Sequence, residues 1–492
     1  MDTSAKSGTA ATATTVATPA DAAEEVVELV SLYQKSKKIY PRSVKGRFVN
    51  WRWGLVWLTQ LIFYGLPWLM WGDRQAVLLD IVSRRFYIFG LVLYPQDFIY
   101  LTALLLLSAY SLFLFTAVAG RLWCGYACPQ TVYTEIFLWV ERKIEGDRAA
   151  RMKRDEGPMS TDKAWRMAAK QVVWIAIGLW TGFTFVGYFT PIHTLAAEVL
   201  SFGLGPWETF WVLFYGFATY GNAGFMREQV CKYMCPYARF QSVMFDKDTL
   251  IISYDTARGE PRGSRSKKAD PKAVGLGACI DCGLCVQVCP TGIDIRKGLQ
   301  YECIGCAACV DVCDEVMDKM NYPRGLVRYD TQNGLTQQGL SQSQLLHRVF
   351  RPRILIYTTI LLLIATAVGI SVATRTPFRA NIVRDRGALA RQVEDGWLEN
   401  VYRLQIMNAA EQTQTYRITA EGLPGLKQVE TEAVTLGPAE ARWVAVALRV
   451  PPEAAAEKGP GAHEIHFIVK RDAVGTDAAK SVREKSTFMI PR

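Results

Sequence analysis

The sequence predicts a multidomain membrane protein: an α-helical transmembrane bundle of about five spans, a cysteine-rich domain inserted before the last span, and a C-terminal β-sandwich. Three observations predict it. Apolar stretches of spanning length recur along the chain, eight of the 12 cysteines crowd into residues 279–313, and residues 376–492 alternate apolar and polar at period two.

Residues 1–24 are rich in Ala and Thr, lack aromatic residues and carry one basic residue, so they cannot support a core. A disordered tail over 1–34 is expected. No basic segment leads into a short apolar one there, which argues against a cleaved signal peptide. Length and apolarity then mark spans at roughly 54–72, 97–119, 171–190, 208–225 and 354–373. The first four fall in a membrane domain over 35–245, and the fifth in 346–375. The short run 86–95 (FYIFGLVLYP) reads as an interfacial or re-entrant piece.

Charge sets the orientation. Lys35, Lys37, Lys38, Arg42, Lys45, Arg47 and Arg52 precede the first span, and 141–170 carries nine Lys and Arg, whereas 191–207 carries none. By the positive-inside rule the N-terminus and 141–170 face the cytoplasm. The net charge of +10 reflects that bias, and no nucleic-acid partner is expected. Five crossings leave 246–345 in the cytoplasm and 376–492 in the periplasm of a bacterial inner membrane.

Within 279–313, Cys279, Cys282, Cys285 and Cys289 have the spacing C-x2-C-x2-C-x3-C, followed by Pro290, and Cys303, Cys306, Cys309 and Cys313 repeat it. This is the bacterial two-cluster ferredoxin pattern, in which the fourth Cys of each run ligates the other cluster. Cys279, Cys282, Cys285 and Cys313 would hold one [4Fe–4S] cluster, and Cys303, Cys306, Cys309 and Cys289 the second. Zinc is the weaker alternative, because zinc sites use two-Cys knuckles. Thiolate–iron ligation also implies the reducing cytoplasm, which agrees with the loop charges. The basic stretch from Arg258 to Lys272 reads as a solvated linker.

The other four cysteines form a second constellation. Cys124 and Cys128 (WCGYACP) follow the second span, and Cys231 and Cys235 (VCKYMCP) follow the fourth; both copies read C-x-Tyr-x-C-Pro, with Tyr126 and Tyr233 between the thiols. Pro129 and Pro236 suit the first turn of a helix, so Cys128 and Cys235 should sit at N-caps, where the helix dipole favours thiolate. Four such thiols at one membrane face can bind a soft metal, bind a further iron–sulfur centre, cycle between dithiol and disulfide, or simply pack beneath the helices. Met226 and Met234 flank the second copy as candidate thioether ligands. His193, His347, His463 and His466 are read as structural; the last two lie three apart in a strand, on opposite faces.

The C-terminal strands (VYRLQIMN, QTYRITAEGL, ARWVAVALRV, HEIHFIVKR, KSTFMI) contain no Cys and favour an immunoglobulin-like sandwich without its disulfide. With WCGYACPQTVYTEIFLWVERKIEG, CKYMCPYARFQSVMFD and both ferredoxin runs, the chain from about residue 30 resembles the CcoG/FixG/RdxA family, accessory proteins of cbb3-type cytochrome oxidase assembly. The resemblance implies an enzyme, a cupric reductase making Cu(I) for the oxidase copper centre. Copper would be substrate or bound ion, Cys124, Cys128, Cys231 and Cys235 would match the family's membrane motifs, and copper chaperones or assembly factors would be partners. Two other readings stand: a NapH/NosR-like quinol dehydrogenase, and a redox-sensing scaffold. The sequence identifies neither the electron donor nor the oligomeric state, and self-association remains open.

Overall fold

The computed structural model describes residues 38–267, 275–336, 350–385, 390–429, 433–472 and 479–491. The expected tail, Lys35, Lys37, His347 and the end of the basic stretch lie outside them. Among the described residues, three helices are long and apolar enough to cross a membrane: Pro95–Ala119, Thr161–Val186 and Pro352–Thr374. Leu104, Leu105, Leu362 and Leu363 all point outward, an arrangement that a bilayer accommodates and water does not.

The remaining apolar stretches form shorter elements, and several boundaries differ from expectation. The first helix is Arg47–Gly65; Leu66–Trp68 is a 3-10 turn around Pro67, which has no N–H to continue the α ladder, and Met70–Trp71 pairs with Arg74–Gln75. The third begins at Thr161, capped by the Ser160 hydroxyl, so Lys163, Arg166 and Lys170 lie on its first turns instead of in a loop. The fourth, Pro206–Tyr220, is 15 residues long and passes into a π turn at Gly221–Met226. The 86–95 run is no re-entrant piece. Arg85–Ile88 and Leu91–Leu93 are strands of an antiparallel sheet with Val77–Asp80, whose alternating Leu78, Tyr87 and Val92 bury one face.

The helices Phe98–Ala119 and Pro352–Thr374 run antiparallel, joined near the Asp97 end by Tyr100 and Ser371 (3.0 Å). At one end Arg375 pairs with the fully buried Asp97, which Arg379 also reaches (2.9 Å). At the other, Arg351 pairs with Asp246 and donates to the Ala117 carbonyl (2.8 Å). A helix of 22 residues is ~33 Å long, about the thickness of a hydrocarbon core. Everything attached at Asp97 is therefore a membrane's width from everything attached at Asp246.

The sandwich occupies the Asp97 end. Phe378–Arg384, Leu398–Asn408, Ala441–Val450 and Lys427–Val429 form one sheet, joined by Arg391–Gln392; Val434–Leu436, Gln414–Glu421, Gly461–Arg471 and Ser481–Ile490 form the other. Tyr402, Leu404, Tyr416, Phe467 and Phe488 fill the space between them. Met407, Ala409 and Ala439 pack onto the small sheet, where the Tyr94 hydroxyl donates to the Asn408 carbonyl (2.8 Å). The ferredoxin fold occupies the Asp246 end. It pairs Ile251–Tyr254 with Val327–Asp330 and buries Val310, Val316 and Met317 of the helix Ala308–Met320 beneath them.

The N-terminal segment belongs to that end too. Asp311 accepts from the Phe48 and Val49 amides (3.2 and 2.8 Å), capping the first helix from the ferredoxin side. A Cβ at Gly46 would lie 2.3 Å from the Asp311 carboxyl carbon, so only glycine admits this approach. The expected solvated linker is also tied down: Arg258 donates to the Arg324 carbonyl (3.0 Å), and Arg265 to the Gly277 carbonyl (2.7 Å) and the Tyr322 hydroxyl (3.1 Å). Guanidinium groups here cap backbone carbonyls, which a charge pattern does not reveal.

Replacing Asp97 by Ala strands Arg375 in a buried site and should cost about 3–5 kcal/mol, read as a lowered unfolding midpoint of the detergent-solubilised chain. A second expectation concerns acid. Burial opposes ionisation of Glu399, but hydrogen bonds from Arg449 (2.7 Å) and Arg391 (2.6 Å) outweigh it and hold the carboxyl below its ordinary value. A folded value below the unfolded one stabilises above about pH 4.3 and is lost as pH falls through the folded value. Glu399→Gln should therefore flatten the acid limb of sandwich stability, measured as unfolding midpoint against pH.

Candidate redox centre

Each ferredoxin run bends its backbone in the same way. Asp281 and Gly283 in the first, and Gly305 and Ala307 in the second, take left-handed conformations (φ 53°, 64°, 69° and 57°). This alternation turns successive amides inward, the backbone nest that surrounds anionic iron–sulfur sites. The Gly305 and Ala308 amides face the Cys303 and Cys306 sulfurs and favour their thiolate forms. Two cavities result. Cys279, Cys282 and Cys285 line the first with Cys313 of the other run; Cys303, Cys306 and Cys309 line the second with Cys289, and Cys285 borders both. The crossed grouping matches that expected from spacing.

Burial pushes the Cys303 and Cys313 thiols up to about 12 and Cys285 up to about 11. Bound iron reverses that balance, since a coordinated thiol is deprotonated. Among the described residues no three His, Cys, Asp or Glu side chains converge on a single-ion site. None of the 12 cysteines is in a disulfide.

The two membrane motifs fold as their prolines dictate. Cys128 and Cys235 have extended backbones at the N-caps of Pro129–Glu145 and Pro236–Met244. Before them, Cys124 lies in the short helix Leu122–Tyr126 and Cys231 in the π turn Val230–Met234. Gln130 latches the copies together, donating to the Asn222 and Arg227 carbonyls (2.9 and 3.1 Å), while Arg227 and Arg151 both pair with buried Glu141. From the second copy, fully buried Gln241 accepts from the Cys124 thiol (3.3 Å).

At Cys128 the expected thiolate character is opposed. Burial raises Cys128 even though the Gln130 and Thr131 amides pull the other way, and it pushes Cys124 to about 12 and Cys231 to about 11. A helix terminus is too weak to offset desolvation of a thiolate here. What does oppose it is Arg121, buried and near Cys124, Cys231 and Cys303 together. The sequence reading missed this residue, though it stands only three positions before Cys124. The buried Nε atoms of Arg121 and Arg52 have no hydrogen-bond partner, and Arg52 lies beside Cys306. Orphaned cationic donors beside thiols are what an anionic cluster or thiolate satisfies.

Met226 and Met234 are exposed and stay outside the buried thiols. His193 packs edge-on against Trp68, His463 contacts the Gly459 carbonyl, and His466 faces Glu464, so none joins the centre.

The two constellations meet. Cys124, Cys231 and Cys309, each partly buried, pack against one buried cluster formed by Cys306 with Val288, Ile304, Ala308 and Val312. Gly125 makes this contact feasible, because a Cβ there would stand 2.8 Å from the Ile304 carbonyl oxygen and 2.9 Å from the Cys306 backbone. Tyr329 donates to the Gly305 carbonyl (2.5 Å) and approaches the Tyr126 hydroxyl (3.5 Å).

A family model described as a 4Fe-4S dicluster domain matches residues 226–332, a 4Fe-4S binding domain matches 101–146, and an IG-like fold at the C-terminal of FixG matches 368–491. The nitrogen fixation protein FixG of Rhizobium meliloti is 37% identical over 80% of this chain and 81% of its own length. Protein RdxB of Cereibacter sphaeroides is 40% identical over 79% and 83%, and its protein RdxA 39% over 80% and 85%. The chain belongs to the CcoG/FixG/RdxA family. A solved FixG-related protein from Vibrio parahaemolyticus aligns over 23% of this chain and 97% of its own at 21% identity, with a TM-score of 0.20.

In this family member the two membrane motifs are unequal, despite their shared spacing. Tyr126 is buried against the ferredoxin loop, whereas Tyr233 is 68% exposed. Gly125→Ala should push the loop away, lowering stability by ~1–3 kcal/mol and reducing bound iron. Gly54→Ala, with nothing within 4 Å of the new Cβ, should leave iron unchanged and stabilise slightly. Iron analysis and thermal melts of the two variants side by side test the contact.

Proposed function

We propose that this chain is a membrane-bound iron–sulfur oxidoreductase that reduces Cu(II) to Cu(I) for the copper centre of a cbb3-type cytochrome c oxidase. The observation that carries the reading is that Cys124, Cys231 and Cys309 pack on the same buried cluster around Cys306. Cys279, Cys282, Cys285 and Cys313 hold one [4Fe–4S] cluster, and Cys303, Cys306, Cys309 and Cys289 the other. Bound clusters supply one-electron transfer, which matches the one-electron copper couple. The chain's own part is to seat them in nested amides, to exclude water with Ile304 and Val312, and to place Arg121 between the thiol groups.

Copper meets the chain at Cys124, Cys128, Cys231 and Cys235. Soft thiolates favour Cu(I) over Cu(II), so the donor set itself draws the couple toward reduction. In this reading the chain crosses the membrane five times, with its ferredoxin in the cytoplasm and its sandwich in the periplasm, where assembly factors or copper chaperones dock. The basic run 141–170 and the two domains at opposite ends of one helix pair support it.

Anaerobically reduced protein should be reoxidised by Cu(II), with one Cu(I) trapped by a specific chelator for each electron lost from the iron–sulfur chromophore. Changing Cys124, Cys128, Cys231 and Cys235 together to Ser should slow this at least tenfold while leaving ferredoxin iron in place. No exchange in protein with intact clusters, or an unchanged rate and copper stoichiometry in the fourfold variant, overturns the proposal.

A further inference from the structure

A cavity of about 840 Å³ lies between the helices Arg47–Gly65, Pro129–Glu145 and Thr161–Val186, within the size range of small-molecule sites. Its walls are aromatic. Trp53, Trp57, Trp139 and Trp180 surround it, and two polar side chains, Gln60 and Tyr64, enter it. Those two groups set the cavity apart from a groove filled by lipid tails. The Gln60 Oε1 atom is buried without a hydrogen-bond partner, although its amide neighbours Tyr133. The Tyr64 hydroxyl joins a chain of hydroxyls, 2.9 Å from Thr181 and 3.3 Å from Tyr133. A buried orphan acceptor is destabilising, and an acyl chain cannot satisfy it.

The cavity also leads toward the redox centre. Trp53 lines both it and a polar cavity that Arg52, Glu135, Pro290 and Ala308 border. Arg52, next to Trp53, bonds Glu135 (3.1 Å) and lies beside Cys306. One helix therefore presents Trp53 to the apolar cavity and Arg52 to the polar cavity beside it, on the side of Cys306.

We propose that this cavity binds the head group of an isoprenoid quinol from the bilayer, and that the quinol is the electron donor to the iron–sulfur centres. The aromatic ring stacks among the tryptophans, one phenolic hydroxyl donates to Gln60 Oε1, and the tail leaves between the helices into lipid. Oxidation of one quinol to quinone releases two electrons and two protons. The electrons match two one-electron acceptors, and through them the reduction of two Cu(II) to two Cu(I); the protons leave by the polar cavity at Trp53. This last link rests on the copper reading, whereas quinol binding does not.

Full-length protein in lipid nanodiscs, titrated with short-tailed ubiquinone and menaquinone analogues, should show saturable quenching of tryptophan fluorescence. Gln60→Leu should weaken binding about tenfold, and Ala176→Trp, which fills the cavity from an exposed position, should abolish it. Both variants should keep wild-type iron content. Once reduced chemically with dithionite they should also deliver electrons to Cu(II) at the wild-type rate, so failure here is distinguishable from failure of the copper reading. Added quinol should bleach the iron–sulfur absorbance of wild type but not of Ala176→Trp. Quenching that does not saturate, that survives both substitutions, or that an alkyl chain without a quinone ring displaces equally well overturns the proposal. If Ala176→Trp loses iron, Gln60→Leu alone decides between head-group binding and an acyl chain.

Discussion

The approach of Gly125 to the 304–306 backbone is the contact on which the redox arrangement depends. It brings a membrane motif and a ferredoxin loop to van der Waals distance, and everything around it protects that closeness. Asp311 caps the first helix from the ferredoxin side, Tyr329 holds the Gly305 carbonyl, and Gln130 and Glu141 tether the second motif to the first. A side chain at position 125 would open the gap by more than the contact tolerates. Close backbone packing thus replaces covalent linkage as the means of joining two sets of thiols.

Electrostatics at this junction are unusual for thiol sites. The helix N-caps that ordinarily ease ionisation are outweighed by burial at Cys128, and a buried arginine stands among the sulfurs instead. Arg121 stands near the sulfurs with its Nε donor unpaired, while Arg52 is paired with Glu135. At the far end the sign is inverted: a fully buried Asp97 gathers Arg375 and Arg379 where the last helix leaves the bundle for the sandwich. The two charged knots, one at each end of the same antiparallel helix pair, keep that pair in register.

Much of the site was legible in sequence because cysteine spacing and proline position are local constraints. C-x2-C-x2-C-x3-C fixes how the chain wraps, and a Pro after a Cys fixes which residue caps the helix; both recur as read. The period-two alternation likewise produced the sandwich strands. Less was legible where an apolar run had two uses. FYIFGLVLYP satisfied a membrane-piece criterion and a strand criterion equally, and only contact with Met407 and Ala439 decides for the sheet. The apolar run 54–72 reads as one continuous element by composition, but the helix ends at Gly65, just before Pro67.

By itself the sequence determined the kinds of group present: eight thiols in two interleaved sets, four more in a repeated membrane motif, and apolar helices and alternating strands to carry them. Those features are set within a few residues of one another, so local chemistry suffices. Only the tertiary structure decided that Cys124 and Cys231 pack on the cluster around Cys306, that Arg121 and Arg52 stand near these sulfurs, and that Tyr126 and Tyr233 have different surroundings. Apart from the step from Arg121 to Cys124, these relations join residues more than 70 positions apart, and no pattern along the chain encodes them. They follow from which surfaces exclude water together.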